Sequence, residues 1–117
     1  MNALILSLLA AFASVESSNR NLPAYDDHGG MAFGYYGFHE ARWIECGGSA
    51  ESFGTATREQ QDAVMAKELT RAFRIAKKRG IDPIRAAATY HNNGHVIDSE
   101  TAYTRKIRAA LTKLSSP

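Results

Sequence analysis

The sequence predicts a small, mainly α-helical domain, α+β at most, with about five helices around a cleft and at most a short hairpin. Three observations carry that expectation. Apolar residues at positions 4, 5, 8, 9, 12 and 15 recur at helical spacing. Thr57-Arg58-Glu59-Gln60 reads as a capping box that opens a long periodic segment ending at Gly80. The 117 residues include a single cysteine, Cys46, so no intrachain disulfide is possible and packing must hold the fold. A hydrophobic content of 44% and a charged content of 22% supply an ordinary core and surface for one domain over residues 1–117.

The elements follow in order. Residues 3–17 read as a buried core helix. The competing reading is a secretory signal: Leu4–Phe12 has the size of an apolar core region, and Ala11-Phe12-Ala13 fits a cleavage site. Residues 1–15 contain no Lys or Arg, however, and the run is too short to span a bilayer. Residues 18–34 combine Asn, Pro23, an Asp pair and three glycines, a loop with room for a short strand or hairpin. Phe38–Cys46 is expected to form a short helix stopped by Gly47-Gly48.

The helix after Thr57 has apolar positions at 64, 65, 69, 72, 73, 75 and 76, with Lys77, Lys78 and Arg79 in its last turn. Asp82-Pro83 supplies a cap and a first-turn proline for a helix running to about Tyr90, followed by a polar turn, His91-Asn92-Asn93-Gly94-His95. Asp98 or Ser99 is expected to cap a final helix with an apolar face of Ala102, Tyr103, Ile107, Ala110, Leu111 and Leu114.

A net charge of +2 is mildly basic. It suits an anionic polymer, bacterial wall or nucleic acid, without choosing between them. Arg71, Arg74 and Lys77–Arg79 would be the nucleic-acid contacts. Lys77–Arg79 are better explained as a solvated last turn complementing the helix dipole, and no nucleic-acid-reading module accompanies them, so no nucleic-acid partner is expected. His28, His39, His91 and His95 show no metal-ligand spacing; neither a metal nor another cofactor is expected.

Glu16 is the residue with the clearest chemical promise. A carboxylate where an apolar helix meets a polar loop is partly desolvated, the setting a general acid needs to protonate a leaving sugar oxygen. Two further clusters join it: Asp26-Asp27-His28 with the following Gly34-Tyr35-Tyr36-Gly37-Phe38-His39, and Tyr90-His91-Asn92-Asn93-Gly94.

These segments carry a resemblance. Val15-Glu16-Ser17-Ser18-Asn19 resembles the E-S-x-x-N segment of lysozyme-like peptidoglycan hydrolases and lytic transglycosylases. Gly34–Gly47 is similar to the G-P/Y-Y/F-Q-I-x-E-x-Y-W-x-D-C-G segment of invertebrate-type (destabilase-like) lysozymes. His91-Asn92-Asn93-Gly94 resembles their H-N-G-G motif and the Y-N-A-G motif of soluble lytic transglycosylases. The segments fall in the family's order, over roughly residues 3–112.

The resemblance implies a peptidoglycan glycosidase cutting the β-1,4 bond between N-acetylmuramic acid and N-acetylglucosamine, by hydrolysis or transglycosylation. Glu16 would be the general acid and Asp27, with Asp26 as the near alternative, the second carboxylate. Tyr36, His91, Asn92 and Gly94 would line the sugar cleft, while Phe38 and Trp43 would belong to the core. Glycan strands of peptidoglycan would be the partner of a monomeric protein that acts on the cell wall without inserting in a membrane.

Two departures stand out. Gly37 occupies the position of the family's motif glutamine, which motivates the alternative of a catalytically silent glycan-binding domain on the same fold. The single cysteine contrasts with the disulfide-rich animal enzymes, and points to a bacterial or phage relative, exported or released.

Overall fold

The structure, a computed structural model, describes residues 2–115. The described residues form five helices and a small antiparallel sheet: α1 (Ala3–Ser17), β1 (Leu22–Asp27), β2 (Gly30–Gly34), β3 (Phe38–His39), α2 (Glu40–Glu45), α3 (Arg58–Arg79), α4 (Pro83–Asn93) and α5 (Ala102–Ser115).

Helix α1 buries one face in the core, while Leu4, on the expected apolar face, and Leu6 stay exposed. Asn2 caps it through the Ile5 amide at 2.8 Å. Leu8, Ala11, Phe12 and Ala13 are completely buried, and α1 packs against both α5 and α3. Burying each large side chain of this kind contributes roughly 1.5–3 kcal/mol. At its far end Ser18 adopts a left-handed conformation, and the amides of Ser18 and Asn19 close on the carbonyls of Ser14 and Ala13. The helix therefore stops just after Glu16.

Residues 18–34 hold more order than a loop. β1 and β2 pair antiparallel, with Tyr25 opposite Ala32, Asp26 opposite Met31 and Asp27 opposite Gly30. β3 adds a third strand through Ala32–His39 and Phe33–Phe38 pairs. The helix expected over Phe38–Cys46 is accordingly shorter, because Phe38 and His39 are taken up by the sheet. Trp43 of α2 is buried and packs edge-on to Phe33 and Phe38. Gly48 makes this possible: a Cβ there would lie 2.2 Å from the indole. The indole N–H donates to the Ser49 carbonyl at 2.9 Å.

The Thr57–Gln60 capping box forms in both directions, and α3 ends at Gly80. Its buried stripe is Gln61, Val64, Met65, Glu68, Leu69, Ala72 and Ala76. Two polar residues thus sit on an apolar face. Asp82 caps α4 through the Arg85 amide at 2.9 Å.

Two boundaries differ from expectation. The segment His91–Asn93 is not a turn but the last turn of α4, closed by Gly94. Neither Asp98 nor Ser99 caps α5; the Thr104 amide donates to Thr101 Oγ1 at 3.1 Å, and Asp98 is engaged with Arg85 at 2.9 Å. The α5 face is only partly apolar in effect: Ile107 is buried, whereas Leu114 is exposed. Among the described residues no helix is long and apolar enough to cross a membrane.

Candidate active-site cleft

One cleft of about 450 Å³ gathers side chains from the end of α1, the β1–β2 hairpin, the turn before β3, α2, α3 and α4. Glu16 reaches it from the last turn of α1. That end is fixed to the turn before β3, because Ser17 Oγ donates to the Tyr35 carbonyl at 2.9 Å. Glu16 Oε2 accepts a hydrogen bond from the Tyr103 hydroxyl of α5. Gly37 sits directly against the other oxygen: it has φ +65°, and a Cβ there would lie 2.8 Å from Glu16 Oε1 and 3.3 Å from the Tyr25 hydroxyl. The carboxylate and the glycine backbone share space that no other residue leaves open.

Both phenols beside Glu16 are held in their neutral form. Burial pushes Tyr103 well above the ordinary tyrosine range, and the Glu16 charge adds to the effect. Tyr25 is raised for the same two reasons, with Asp27 contributing.

Asp27 ends β1 and lines the same cleft. Successive strand residues face opposite ways, so Asp26 and Asp27 diverge, and of the pair only Asp27 lines the cleft that holds Glu16. Its Oδ2 lies 3.1 Å from His39 Nε2, and its Oδ1 accepts from the His28 amide at 2.9 Å. The His39 hydrogen bond, then the amide bond, hold its carboxyl below the usual aspartate range. Gly30, opposite Asp27 on β2, lies beside the His39 ring, whose Nδ1 would stand in ordinary contact, 3.5 Å, with a Cβ at that position.

The floor of the cleft is a buried charge network. Glu68 of α3, 1% exposed, accepts from Arg42 Nη1 at 3.1 Å and lies 2.6 Å from His91 Nδ1. His91 Nε2 is 2.8 Å from the Tyr36 carbonyl, so both ring nitrogens face acceptors and the ring fits as a doubly protonated imidazolium. Burial works against that charge. The adjoining Glu68 carboxylate outweighs it, with help from Glu16, and raises His91 to about 9. Arg42 also donates to the Gly94 carbonyl at 2.8 Å and stacks over Tyr90 at 4.1 Å. The network ties α2, α3, α4 and the turn before β3 together beneath Glu16.

Of the residues singled out from the sequence, Glu16, Asp27, His91, Asn92 and Gly94 line this cleft. Tyr36 does not. Its ring is fully buried and its hydroxyl donates to Asp62 of α3 at 2.5 Å, so it is a core residue rather than a sugar platform. Burial first, and the Asp62 bond second, lift its phenol out of the ordinary range. Phe38 is buried yet touches the cleft from below.

Arg42, Glu68, Tyr103, His28 and His39 are further site residues to which the motifs assign no role; His28, His39 and Arg42 fall within the segments singled out from the sequence, whereas Glu68 and Tyr103 lie outside them. A signal exists for Glu68: it falls on the apolar stripe of α3, where an acid requires a partner. Among the described residues, no group of three or more His, Cys, Asp or Glu side chains is set to hold a metal ion.

No protein-family model and no curated protein matches the sequence. Solved structures do. A chain in the crystal structure of Aeromonas hydrophila PliI in complex with Meretrix lusoria lysozyme superposes with a TM-score of 0.69 at 24% identity, over 94% of this chain and 89% of that one. Tapes japonica lysozyme superposes with a TM-score of 0.63 at 18% identity, again over 94% and 89%. The fold is lysozyme-like. Within the lysozyme-like fold, α1 delivers Glu16 and the hairpin delivers Asp27 to one cleft. At these identities the likeness speaks for the architecture, and the chemistry rests on the residues themselves.

Proposed function

We propose that this protein is a glycosidase of peptidoglycan that cuts the β-1,4 bond between N-acetylmuramic acid and N-acetylglucosamine. The observation that carries the reading is two carboxylates from separate elements, Glu16 and Asp27, lining one cleft of a lysozyme-like fold. Glu16 gives its proton to the glycosidic oxygen as the C1–O bond breaks. Asp27, anionic and held by His39 and the His28 amide, stabilises the positive charge developing at the sugar ring, or bonds to C1 until water displaces it. Tyr103 orients the Glu16 carboxyl, Asn92 offers amide donors and acceptors to an N-acetyl group, and the Gly94 segment borders the bound strand. If the substrate's own hydroxyl attacks C1 instead of water, the product is an anhydro sugar and Asp27 is dispensable.

The test is release of soluble muropeptides from purified peptidoglycan, with mass analysis of the ends, for the wild type and Glu16→Gln. Release by the wild type and its loss in the variant is the expected result. Reducing ends would identify hydrolysis, anhydro ends transglycosylation. A folded wild type that binds glycan strands and releases nothing from several wall types would replace the enzyme with a silent binding domain, the reading that Gly37 in place of the motif glutamine favours.

A further inference from the structure

Charge is unevenly divided along this chain. Residues 67–79 hold six cations (Lys67, Arg71, Arg74, Lys77, Lys78, Arg79) against one acid, Glu68, a local +5 that leaves −3 for the rest of a chain whose total is +2. The acid does not offset them at the surface, since Glu68 is buried and committed to Arg42 and His91. Helical spacing brings Lys67, Arg71, Arg74 and Lys78 onto one face of α3, a row about 16 Å long and roughly a quarter-turn from Glu68. The last-turn dipole accounts for Lys77–Arg79 but not for three cations in the preceding turns. Arg71 pairs with Glu45 at 3.2 Å; Lys67, Arg74 and Lys78 have no carboxylate partner among the described residues. Beside the row runs a groove of about 440 Å³ between α1 and α3, with Ile5, Ala66 and Thr70 on its floor and Lys67, Arg71 and Arg74 along its rim.

We propose that this face of α3 is a second binding surface, separate from the cleft, for a flexible phosphodiester polymer of the polyol-phosphate class found in cell walls. Charge complementarity selects a linear polyanion. The floor accepts a polyol backbone but offers no aromatic ring on which a nucleic-acid base could stack. Such a surface would hold the protein on the wall independently of the glycan in the cleft.

The experiment measures binding of the full chain to purified poly(glycerol phosphate), using the wild type and Glu16→Gln, across a salt series. Both are expected to bind, with affinity falling as salt rises. R74E/K78E should bind at least tenfold more weakly, whereas K106E/K113E, an equal change in net charge on α5, should stay within twofold; circular dichroism checks that both are folded. Equal weakening by the two variants, no effect of R74E/K78E, or no binding by the wild type would overturn the proposal. So would tighter binding to single-stranded DNA of equal phosphate number, or to phosphatidylglycerol vesicles. Binding is read without turnover, so this result and the muropeptide result are independent.

Discussion

Glu16 is defined by what crowds it. One oxygen accepts from Tyr103, the other lies over Gly37, and Tyr25 and His91 complete its surroundings. Replacing it with Gln keeps the shape and removes the proton that a leaving group needs, so muropeptide release is expected to fall on the order of 100-fold or more with the fold intact by circular dichroism. Tyr103→Phe removes a hydrogen bond to a carboxylate while keeping the ring against Phe12, whose centroid is 6.2 Å away. The expected loss is about tenfold in kcat with little change in KM, as for a group that orients the acid rather than the sugar. An equal loss in both would assign Tyr103 to substrate binding instead.

At the scale of elements, the turn between β2 and β3 couples backbone conformation to chemistry. Gly37→Ala puts a methyl group where Glu16 Oε1 now stands and asks an L-residue to hold φ +65°. The strain costs roughly 1–2 kcal/mol, and the displaced carboxylate should lower turnover further. A thermal melt and a release assay on the same preparation separate the two effects; full activity would mean that Glu16 has another productive position. The capping box of α3 is a purely structural counterpart. Thr57→Ala leaves the Gln60 amide without its side-chain acceptor and should cost about 1 kcal/mol of stability, read from a urea midpoint, with no change in activity per folded molecule.

For the molecule as a whole, the Glu68–His91–Arg42 network joins three helices under the cleft, and one of its members titrates within reach. His91 is raised from 6.5 to about 9 on folding, so the folded chain holds that proton more tightly than the unfolded one. The resulting stabilisation is present in full below pH 6.5 and is lost as pH rises through about 9. The urea midpoint is therefore expected to be higher at pH 6 than at pH 9.5. His91→Gln, which leaves Glu68 with one partner fewer, should be destabilised by about 3–5 kcal/mol and should lose most of that pH difference. A variant with the same pH dependence as the wild type would remove His91 as its source.

Much of the fold was written in short-range patterns. The 3.6-residue spacing of α1 and α3, the Thr57 capping box, Asp82-Pro83 and Gly80 each act over a few residues, and each marks an element that forms where those patterns lie. Local cues failed where a longer-range partner competed: the sheet took Phe38 and His39 from α2, Arg85 took Asp98 from the α5 cap, and α4 ran on through His91–Asn93. The candidate site divides the same way. Local patterns were enough to put Glu16 in the last turn of an apolar helix and the Asp26-Asp27 pair in a turn-rich segment, because amphipathic spacing and turn chemistry act over a few residues. Long-range packing settled that Asp27 rather than Asp26 lines the cleft with Glu16, that Tyr36 is core, that Arg42, Glu68 and His91 line the same cleft, and that Tyr103 bonds the acid. Those outcomes depend on strand register and on contacts between residues up to 87 positions apart, distances at which the chain carries no periodic signal.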